Sequence, residues 1–322
     1  MSTVRHKILA RASDRTLGGL IVGVATHVTH ESPDAMPAAE NPTARRRELG
    51  SMLRSLRAST ELTTEQVANM LGFSRSKVSR LENGRRGASQ GDLLRMCDLY
   101  QVGDEQRARL SELAAGGKQR AWWSSPNLPD ADYIGLEAEA ESINDYGLAV
   151  VPGLLQTSAY ARAIVQATAP TLEPQIVEER VRARMARQKL LSASNGPSFI
   201  AVLDESVLHR VVGSPAVMLD QLKRLVEMAQ LPNVTIRVVP YDAGVVPAGV
   251  GKFIILRSPS SGIDNIVLIE ELTGQHHYID DPGDVELYSS TFRTLLGLSA
   301  DPGASVAMIL ARVIAYELRA GS

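Results

Sequence analysis

The sequence predicts a two-domain protein in which an all-α N-terminal domain precedes a larger mixed α/β (α+β) domain. Two observations predict this fold class. Between residues 45 and 115, apolar residues recur at the three- and four-residue spacing of short amphipathic helices. After residue 198, short β-branched runs alternate with helical stretches. The 322 residues, of which 44% are hydrophobic, suffice for two packed cores.

The chain divides by composition into three segments. Residues 1–42 are predicted to be a disordered extension. Residues 43–117 form the helical domain, which ends at the glycine pair of "AAGGKQ", and residues 118–322 form the α/β domain. No apolar run approaches the roughly 20 residues of a membrane helix. The single cysteine, Cys97, excludes an internal disulfide, so we expect a cytoplasmic protein without a membrane partner.

The first two helices are defined by an apolar stripe and a cap. One face of the first helix carries Leu49, Met52, Leu53 and Leu56. The second begins at Thr63, whose hydroxyl can cap the helix while the Gln66 side chain reaches back to it. The residues predicted to be buried there are Val67, Ala68 and Leu71.

Three further helices complete the N-terminal domain. The third begins at Ser74, a good N-cap, and stops at Gly84, the residue type that takes the left-handed turn after a helix. Its predicted core residues are Val78 and Leu81. The fourth helix is predicted to bury Leu93, Leu94, Cys97 and Tyr100, and the fifth Leu110 and Leu113.

The second domain is predicted to begin with helices and to continue as a mixed sheet. Beyond an irregular link, helices are predicted in "YIGLEAEAESINDYG", "QTSAYARAIVQATA" and "EPQIVEERVRARMARQKLLS". Strands are predicted in "SFIAVLDESVL", "VTIRVVPY", "GKFIILRS" and "NIVLIEEL", with a helix between the first two and two helices at the end. Strand–helix–strand followed by paired strands implies a small sheet covered by helices.

The basic residues are concentrated in the helical domain. Between Arg45 and Arg86 there are ten Lys and Arg residues and four acidic ones, a net charge of +6, whereas the whole chain carries −2. A basic module on an acidic body indicates a polyanion as the partner of that module alone.

Residues 64–83 have the spacing of a helix-turn-helix. Ala68 is small enough for the closest approach of two steeply crossing helices. Gly72 permits the positive backbone angle of the tight turn. Val78 and Leu81 anchor the second helix on the first, which would present that second helix to the major groove of double-stranded DNA.

The outward side chains of this second helix are the candidate DNA contacts. Arginine can donate two hydrogen bonds to guanine, and serine can bond either base class, so the predicted base contacts are Arg75, Ser76, Ser79 and Arg80. The predicted phosphate contacts are Thr64, Lys77, Asn83, Arg85 and Arg86. Arg45, Arg46 and Arg47 are given the same role.

The stretch "LRSLRASTELTTEQVANMLGFSRSKVSRLENGRRG" resembles the lambda-repressor-like, or Xre-type, helix-turn-helix. "GLEAEAESI", "VPGLLQTSAYARAI", "RQKLL" and "LIEELTG" resemble a C-terminal domain of unknown function in Xre-type bacterial regulators described as antitoxin-like. The resemblance covers about residues 42–320 and implies transcriptional regulation without a known ligand. Many members carry Gln where this chain has Thr64, so the phosphate contact usual there would come from a shorter hydroxyl.

Two pairs of adjacent residues in the second domain are candidates for a ligand-binding or metal-binding site. Glu270 and Glu271 end an apolar strand, and polar groups there often line a pocket mouth, so they are the candidate ligand-pocket residues. His276 and His277 are predicted to lie in a surface loop and not to bind a metal. No metal and no cofactor is predicted.

Three other groups are given structural roles. Glu205 and His209, four residues apart, can meet on one helical face, but no nucleophile accompanies them. The acidic residues of "GLEAEAES", which are Glu137, Glu139 and Glu141, predict a solvated helix face. The two tryptophans at 122 and 123 are predicted to pack the link against the second domain.

Together these patterns predict a DNA-binding transcriptional regulator whose α/β domain senses a ligand or a protein. A single helix-turn-helix makes few contacts, so a homodimer is expected. One alternative is an antitoxin-like protein whose second domain binds a small partner protein encoded nearby. A second alternative is a hydrolase, for which the sequence shows no convergent nucleophile and base. The operator, the ligand and the sign of regulation stay open.

Overall fold

The computed structural model describes residues 41–320 apart from 85, 118–122, 124, 126, 129, 248–250, 259–262 and 271–275. The predicted extension therefore lies outside the described residues except for its last two positions. Arg85, Trp122 and Glu271 lie outside them as well.

Five helices occupy the N-terminal part: α1 (Pro42–Ser59), α2 (Thr64–Leu71), α3 (Arg75–Glu82), α4 (Gln90–Leu99) and α5 (Asp104–Gly116). The hydroxyls of Thr63 and Ser74 cap α2 and α3 as predicted. The first helix begins earlier than residue 45, because the Asn41 side chain accepts hydrogen bonds from the first turn and Pro42 suits the first helical position.

The core of these helices differs from the prediction at one position of α4. Leu93, Met96 and Cys97 are buried, whereas Leu94 is 39% exposed. The prediction for Leu94 was wrong because residues three and four positions after Leu93 share its face, and the adjacent residue does not.

The second part contains six strands and seven helices among the described residues. The first elements are α6 (Ala131–Glu139), β1 (Ser142–Gly147), α7 (Ser158–Thr168), α8 (Pro174–Gln188), β2 (Ser198–Asp204), the short α9 (Ser206–His209) and α10 (Pro215–Met228). The remaining ones are β3 (Val234–Val239), β4 (Phe253–Ser258), β5 (Ile263–Glu270), β6 (His276–Ile279), α11 (Pro282–Leu298) and α12 (Pro302–Ala320). Single 3₁₀ turns occupy Gly153–Leu155, Lys189–Ser192 and Tyr241–Ala243.

Two of these strands correct the sequence analysis. The predicted helix "YIGLEAEAESINDYG" ends at Glu139, and its second half is β1. The predicted loop containing His276 is the edge strand β6. Both strands were missed because they carry polar residues, Asn144 and Asp145 in β1, whose sheet position depends on neighbours distant in sequence.

The strands form one mixed sheet in the order β3-β2-β1-β4-β5-β6. The strands β1, β2 and β3 are parallel, and β4, β5 and β6 pair antiparallel. Alternate residues share a face, so the register places Asp145, Ile254, Leu268 and Tyr278 in one row across four strands.

Helices cover both faces of the sheet. One face packs Ile143, Ala201 and Ile254 against apolar residues of α6, α7, α10 and α12. The opposite face packs Tyr146 and Phe253 against α11. The chain therefore has the predicted fold class, a helical domain followed by a mixed α/β domain. Among the described helices, none is by itself long and apolar enough to cross a membrane. Taken together, α11 and α12 reach that length and apolar composition, but the pair is bent by 69° at the break between them.

The start of α1 packs on α6. The Asn41 side-chain amide donates to the carbonyl of Gly135 (3.0 Å), and Arg46 forms an ion pair with Asp132 (2.7 Å). Arg47 is 6% exposed and lies over the ring of Tyr278. The predicted phosphate role was therefore wrong for Arg47, whose side chain is buried, whereas that of Arg46, which is 23% exposed, stays a prediction.

Candidate nucleic-acid interface and C-terminal cleft

The turn between α2 and α3 has the backbone geometry that the spacing predicts. Gly72 has a φ of +62°, in the left-handed region, and ends α2. The next amide, of Phe73, donates to the Ala68 carbonyl (2.8 Å). Ala68, Val78 and Leu81 are buried, so the inner faces of both helices are held together by the predicted residues.

The outer face of α3 carries the predicted base contacts. Arg75, Ser76 and Arg80 are exposed, and Ser79 is half-buried. The Nε of Arg80 donates to the Ser76 carbonyl of its own helix (3.2 Å). Among the described residues, neither arginine has a carboxylate within ion-pair distance. Both guanidinium groups are therefore available to an external acceptor.

The only acid of α3, Glu82, faces the interior. It is 4% exposed and accepts two hydrogen bonds from Arg57 of α1, at 2.7 and 3.0 Å. This hydrogen bond raises the pKa of the Arg57 guanidinium. Because the pair joins α1 to α3 internally, the outward side of α3 is left without an acidic residue.

The predicted phosphate contacts differ in their surroundings. Arg86 is exposed and Thr64 is half-buried. The Lys77 ammonium pairs with Asp92 of α4 (2.6 Å) and lies over the Phe73 ring. Asn83 accepts a hydrogen bond from Arg54 of α1. Arg54, 44% exposed beside the end of α3, was not identified from the sequence because only the fold brings α1 to that end.

Two glycines allow α1 and the end of α3 to touch through their backbones. A Cβ on Gly50 would lie 2.6 Å from the Glu82 carbonyl oxygen and 2.7 Å from that of Leu81. Gly84, with a φ of +65°, lies against Arg47 in the same way, since a Cβ there would be 2.6 Å from the arginine Cγ. The orientation of α3 is therefore set by direct backbone contact with α1.

A cleft of about 700 Å³ lies between the sheet and the helices of the second domain. Its floor is made by alternate residues of β1, β4, β5 and β6, which are Asp145, Lys252 just before β4, Ile254, Glu270 and His276. Its walls come from α6, α7 and α8, which contribute Tyr133, Ile164, Val165, Arg184 and Arg187. Four strands and three helices thus converge on one concave surface.

One side of the cleft is held by a buried ion pair. Glu137 is 1% exposed and accepts hydrogen bonds from Arg187, both at 2.7 Å, and from the Tyr133 hydroxyl (2.5 Å). Burial opposes the charge on Arg187, but Glu137 outweighs it and the arginine pKa is raised. The expectation of a solvated face was wrong for Glu137, because the helix turns this residue toward α8.

Glu270, a predicted pocket residue, lines the cleft and pairs with Lys252 (2.6 Å). The lysine lowers the pKa of Glu270 to about 2. The His276 Nδ1 lies within hydrogen-bond distance of the Asp130 carboxylate (3.0 Å), which also accepts from the Tyr278 hydroxyl at 2.8 Å. The histidine that was predicted to lie on a surface loop is thus part of the cleft.

Asp145 and Arg184 differ from these pairs. Asp145 is 3% exposed, and its Oδ1 has no hydrogen-bond partner within the described part of the chain. Burial raises its pKa to about 6. Arg184 donates to the Gln156 side chain (2.7 Å) and has no carboxylate partner among the described residues, and burial lowers its pKa. Nothing local in the sequence marks either residue.

The remaining candidates have structural surroundings. His209 and Glu205 meet at 3.2 Å, and Glu205 also accepts from the Tyr241 amide. Among the described residues no hydrogen bond joins this pair to a hydroxyl or thiol nucleophile, and no group of three or more metal-ligating side chains occurs. Trp123 is buried with Leu128 and Ile134, as the packing role predicts.

Two family models match separate parts of the chain. Residues 48–110 match a model of helix-turn-helix domains, so the N-terminal helices belong to a class of DNA-binding domains. Residues 130–311, more than half of the chain, match the "Domain of unknown function (DUF5753)", and the chain belongs to this family. No curated protein and no solved structure matches the chain. The helix-turn-helix indicates DNA binding and transcription regulation, and it points to a regulator and not to an enzyme.

Proposed function

We propose that this protein is a sequence-specific transcriptional regulator of the Xre type that places α3 in the major groove of double-stranded DNA. The observation that carries the proposal is the outer face of α3. Arg75, Ser76 and Arg80 are exposed there, while Glu82 is buried against Arg57. A helix whose acid is internal and whose arginines are external is attracted to DNA along its whole exposed side.

The two arginines are assigned to bases because a planar guanidinium can donate to both acceptors of guanine. Ser76 and Ser79 are assigned to neighbouring base edges. The phosphate contacts are assigned to Thr64, Lys77, Asn83, Arg85 and Arg86. Because Lys77 already pairs with Asp92, its phosphate contact exchanges one anion for another and contributes less affinity than that of Arg86.

A homodimer supplies the second half-site that a single motif lacks. For its contact surface we propose α12, where Ala307, Ala311 and Ile314 share one side and Ile314 is exposed. Sedimentation equilibrium of the wild type and of Ile314→Asp tests this surface. The wild type is expected to be a dimer and the variant to dissociate at higher concentration, whereas equal dissociation would place the contact elsewhere.

The second domain is proposed to control the first through a chain of contacts. In the cleft, His276 is bonded to Asp130, and Asp130 to Tyr278. The ring of Tyr278 lies under Arg47, which packs on Gly84 at the end of α3. A ligand that moves the cleft wall therefore has a packed route to the orientation of α3.

The antitoxin-like role, with a small protein as partner, is the competing proposal for the second domain. The cleft favours a small molecule, because its volume of about 700 Å³ and its mixture of apolar side chains with a few polar groups are typical of small-molecule sites. Capture of a small protein by the intact chain, abolished by changes outside the cleft, would favour the competitor.

A binding selection on randomised duplexes tests base readout. Replacing Arg75 or Arg80 with Ala is expected to cost about 1–3 kcal/mol and to relax the preference at one position of each half-site. Replacement with Lys keeps the charge but loses the planar fork, so nonspecific binding should persist while discrimination falls.

The matched control is Arg182→Ala, which removes an exposed arginine from α8, outside the helix-turn-helix. It is expected to leave both the affinity and the preference profile unchanged. If the Arg75 and Arg80 variants gave the profile of the wild type, α3 would not read sequence through these arginines.

A further inference from the structure

Most charged residues around the cleft are paired with one another. Arg187 is paired with Glu137, Lys252 with Glu270, and His276 with Asp130. Each of these pairs joins two different elements, so they hold the cleft open as a framework. They satisfy their own charges and have little need of an external partner.

Among the described lining residues, three charged side chains remain outside this framework: Asp145, Arg184 and Arg180, whose Nε donates to the Asn127 carbonyl (3.0 Å). Asp145 is the one acid of the three. Asp145 lies at the β1 edge of the floor, on the third strand of the six-stranded sheet, with a buried oxygen that accepts no hydrogen bond from the described residues. Arg184 lies on the α8 wall, and its hydrogen-bond partner within the described part of the chain is the neutral side chain of Gln156. A buried carboxylate oxygen without a donor is costly, which indicates that a donor from outside the chain completes it.

The lining of the cleft also includes apolar side chains. Val150, Ile164, Val165 and Ile254 contribute to the lining together with Leu128 and Ile134. The volume of about 700 Å³ lies within the range of small-molecule sites, which are mostly apolar with a few convergent polar groups. A ligand that fits therefore has an apolar body and two polar ends.

We propose that the cleft binds a small zwitterion with an apolar body, whose ammonium group is received by Asp145 and whose carboxylate is received by Arg184. A protonated amine supplies the donors that Asp145 lacks, and a carboxylate matches the fork of Arg184. A short apolar peptide with free termini, or an amino acid with a large apolar side chain, has this chemistry. The inference rests on the proposed sensing role of the second domain and assigns its ligand class.

The raised pKa of Asp145 and the lowered pKa of Arg184 have the same physical cause. Burial disfavours the charged form of each group when no partner compensates it. A zwitterion compensates both charges in one binding event, whereas a simple cation or anion compensates only one. The proposed ligand therefore differs from a simple cation or anion in carrying both an ammonium group and a carboxylate.

Isothermal titration calorimetry on the full chain tests the proposal with three forms of one peptide. The probes are dileucine with free termini, N-acetyl-dileucine, which lacks the ammonium, and dileucine amide, which lacks the carboxylate. We expect the free peptide to bind at least tenfold more tightly than either blocked form. Equal affinity for the three forms, or no binding of any of them, would overturn the assigned ligand class.

Two variants assign each end of the ligand to its residue. In Asp145→Asn the advantage of the free peptide over the acetylated one should disappear, while its advantage over the amide remains. In Arg184→Gln the pattern should be reversed. If both variants kept both preferences, the two residues would not be the receiving groups, and circular dichroism of each variant verifies that it is folded.

The control variant is Glu205→Gln, which changes a carboxylate that the cleft lining does not include. It should retain the affinity order of the wild type. DNA affinity is measured separately without peptide. Loss of peptide binding alongside normal DNA binding would reject only the ligand class, whereas absence of DNA binding would reject the regulator function itself.

Discussion

At the scale of single residues, the same chemical group has different roles according to its surroundings. Glu82, Glu137 and Glu270 are each matched by a cation, and they join elements of the fold. Asp145 is the exception, because its buried Oδ1 has no donor among the described residues. A group that costs stability and lines a cleft is a signature of a binding site.

This cost predicts that Asp145→Asn stabilises the protein in a pH-dependent way. Burial raises the pKa of Asp145 to about 6, and the charges facing it are Lys252, Glu270, Glu137 and Arg187. Since the unfolded pKa is about 3.9, the wild type loses stability as pH rises from about 4 to 6. The stability gap in favour of the asparagine variant should grow by about 3 kcal/mol over this window and stay level above pH 7.

Urea denaturation at a series of pH values measures this gap. Asp220→Asn, at an exposed position of α10, is the control for the loss of one carboxylate. A gap for Asp145→Asn that did not change with pH would show that the carboxyl of Asp145 is not destabilised by burial.

At the scale of elements, the orientation of α3 depends on its backbone contact with α1. Gly50 lies in the interior of α1, where a glycine is unfavourable by itself. It is required there because carbonyls of Leu81 and Glu82 occupy the space of a Cβ. The inner side of α3, the helix proposed to bind DNA, is thus positioned by contact with Gly50 of α1.

The contact predicts opposite effects for two glycine-to-alanine changes. Gly50→Ala should destabilise the protein by roughly 1–3 kcal/mol, because the backbone of α3 must move to accept the methyl group. Gly91→Ala, in α4 with no atom within 4 Å of the new Cβ, should be neutral or stabilising by up to about 1 kcal/mol. Thermal unfolding of the two variants measures the contrast, and similar effects would argue against the close approach.

At the scale of the whole molecule, a basic module is carried on an acidic body. The segment from Arg45 to Arg86 has a net charge of +6 in a chain with a total of −2. Some of these cations are neutralised internally, since Arg46, Arg57 and Lys77 pair with acids. The uncompensated positive charge of the described residues is therefore smaller than the sequence count, and it includes Arg75 and Arg80 on the outer side of α3.

This charge distribution predicts that DNA affinity falls steeply with salt, but less steeply than the sequence count of cations would give. Binding should weaken linearly on a log–log plot as salt rises, because each neutralised phosphate releases counterions. Arg86→Ala should reduce the slope by about 0.9 for each half-site, whereas Lys77→Ala should change it less, since Lys77 is already paired. Fluorescence anisotropy across a salt series measures the slopes, and an affinity independent of salt would contradict the proposed basic interface.

The sequence by itself determined the helix-turn-helix. Its caps at Thr63 and Ser74, its turn at Gly72 and its buried Val78 depend on residues within a few positions of one another, and local physics is sufficient for such features. Most strands and helices of the second domain were also predicted from the periodicity of their apolar residues. A pattern that extends over many residues stays recognisable even when single positions depart from it.

Only the tertiary structure decided which polar residues face inward. The position of β1 between β2 and β4 buries Asp145, and the packing of α6 on α8 buries Glu137 against Arg187. Such burial depends on partners far away in sequence, and no local pattern encodes it. The cleft, its unpaired charges and its contact route to α3 therefore emerge only when four strands and three helices are brought together.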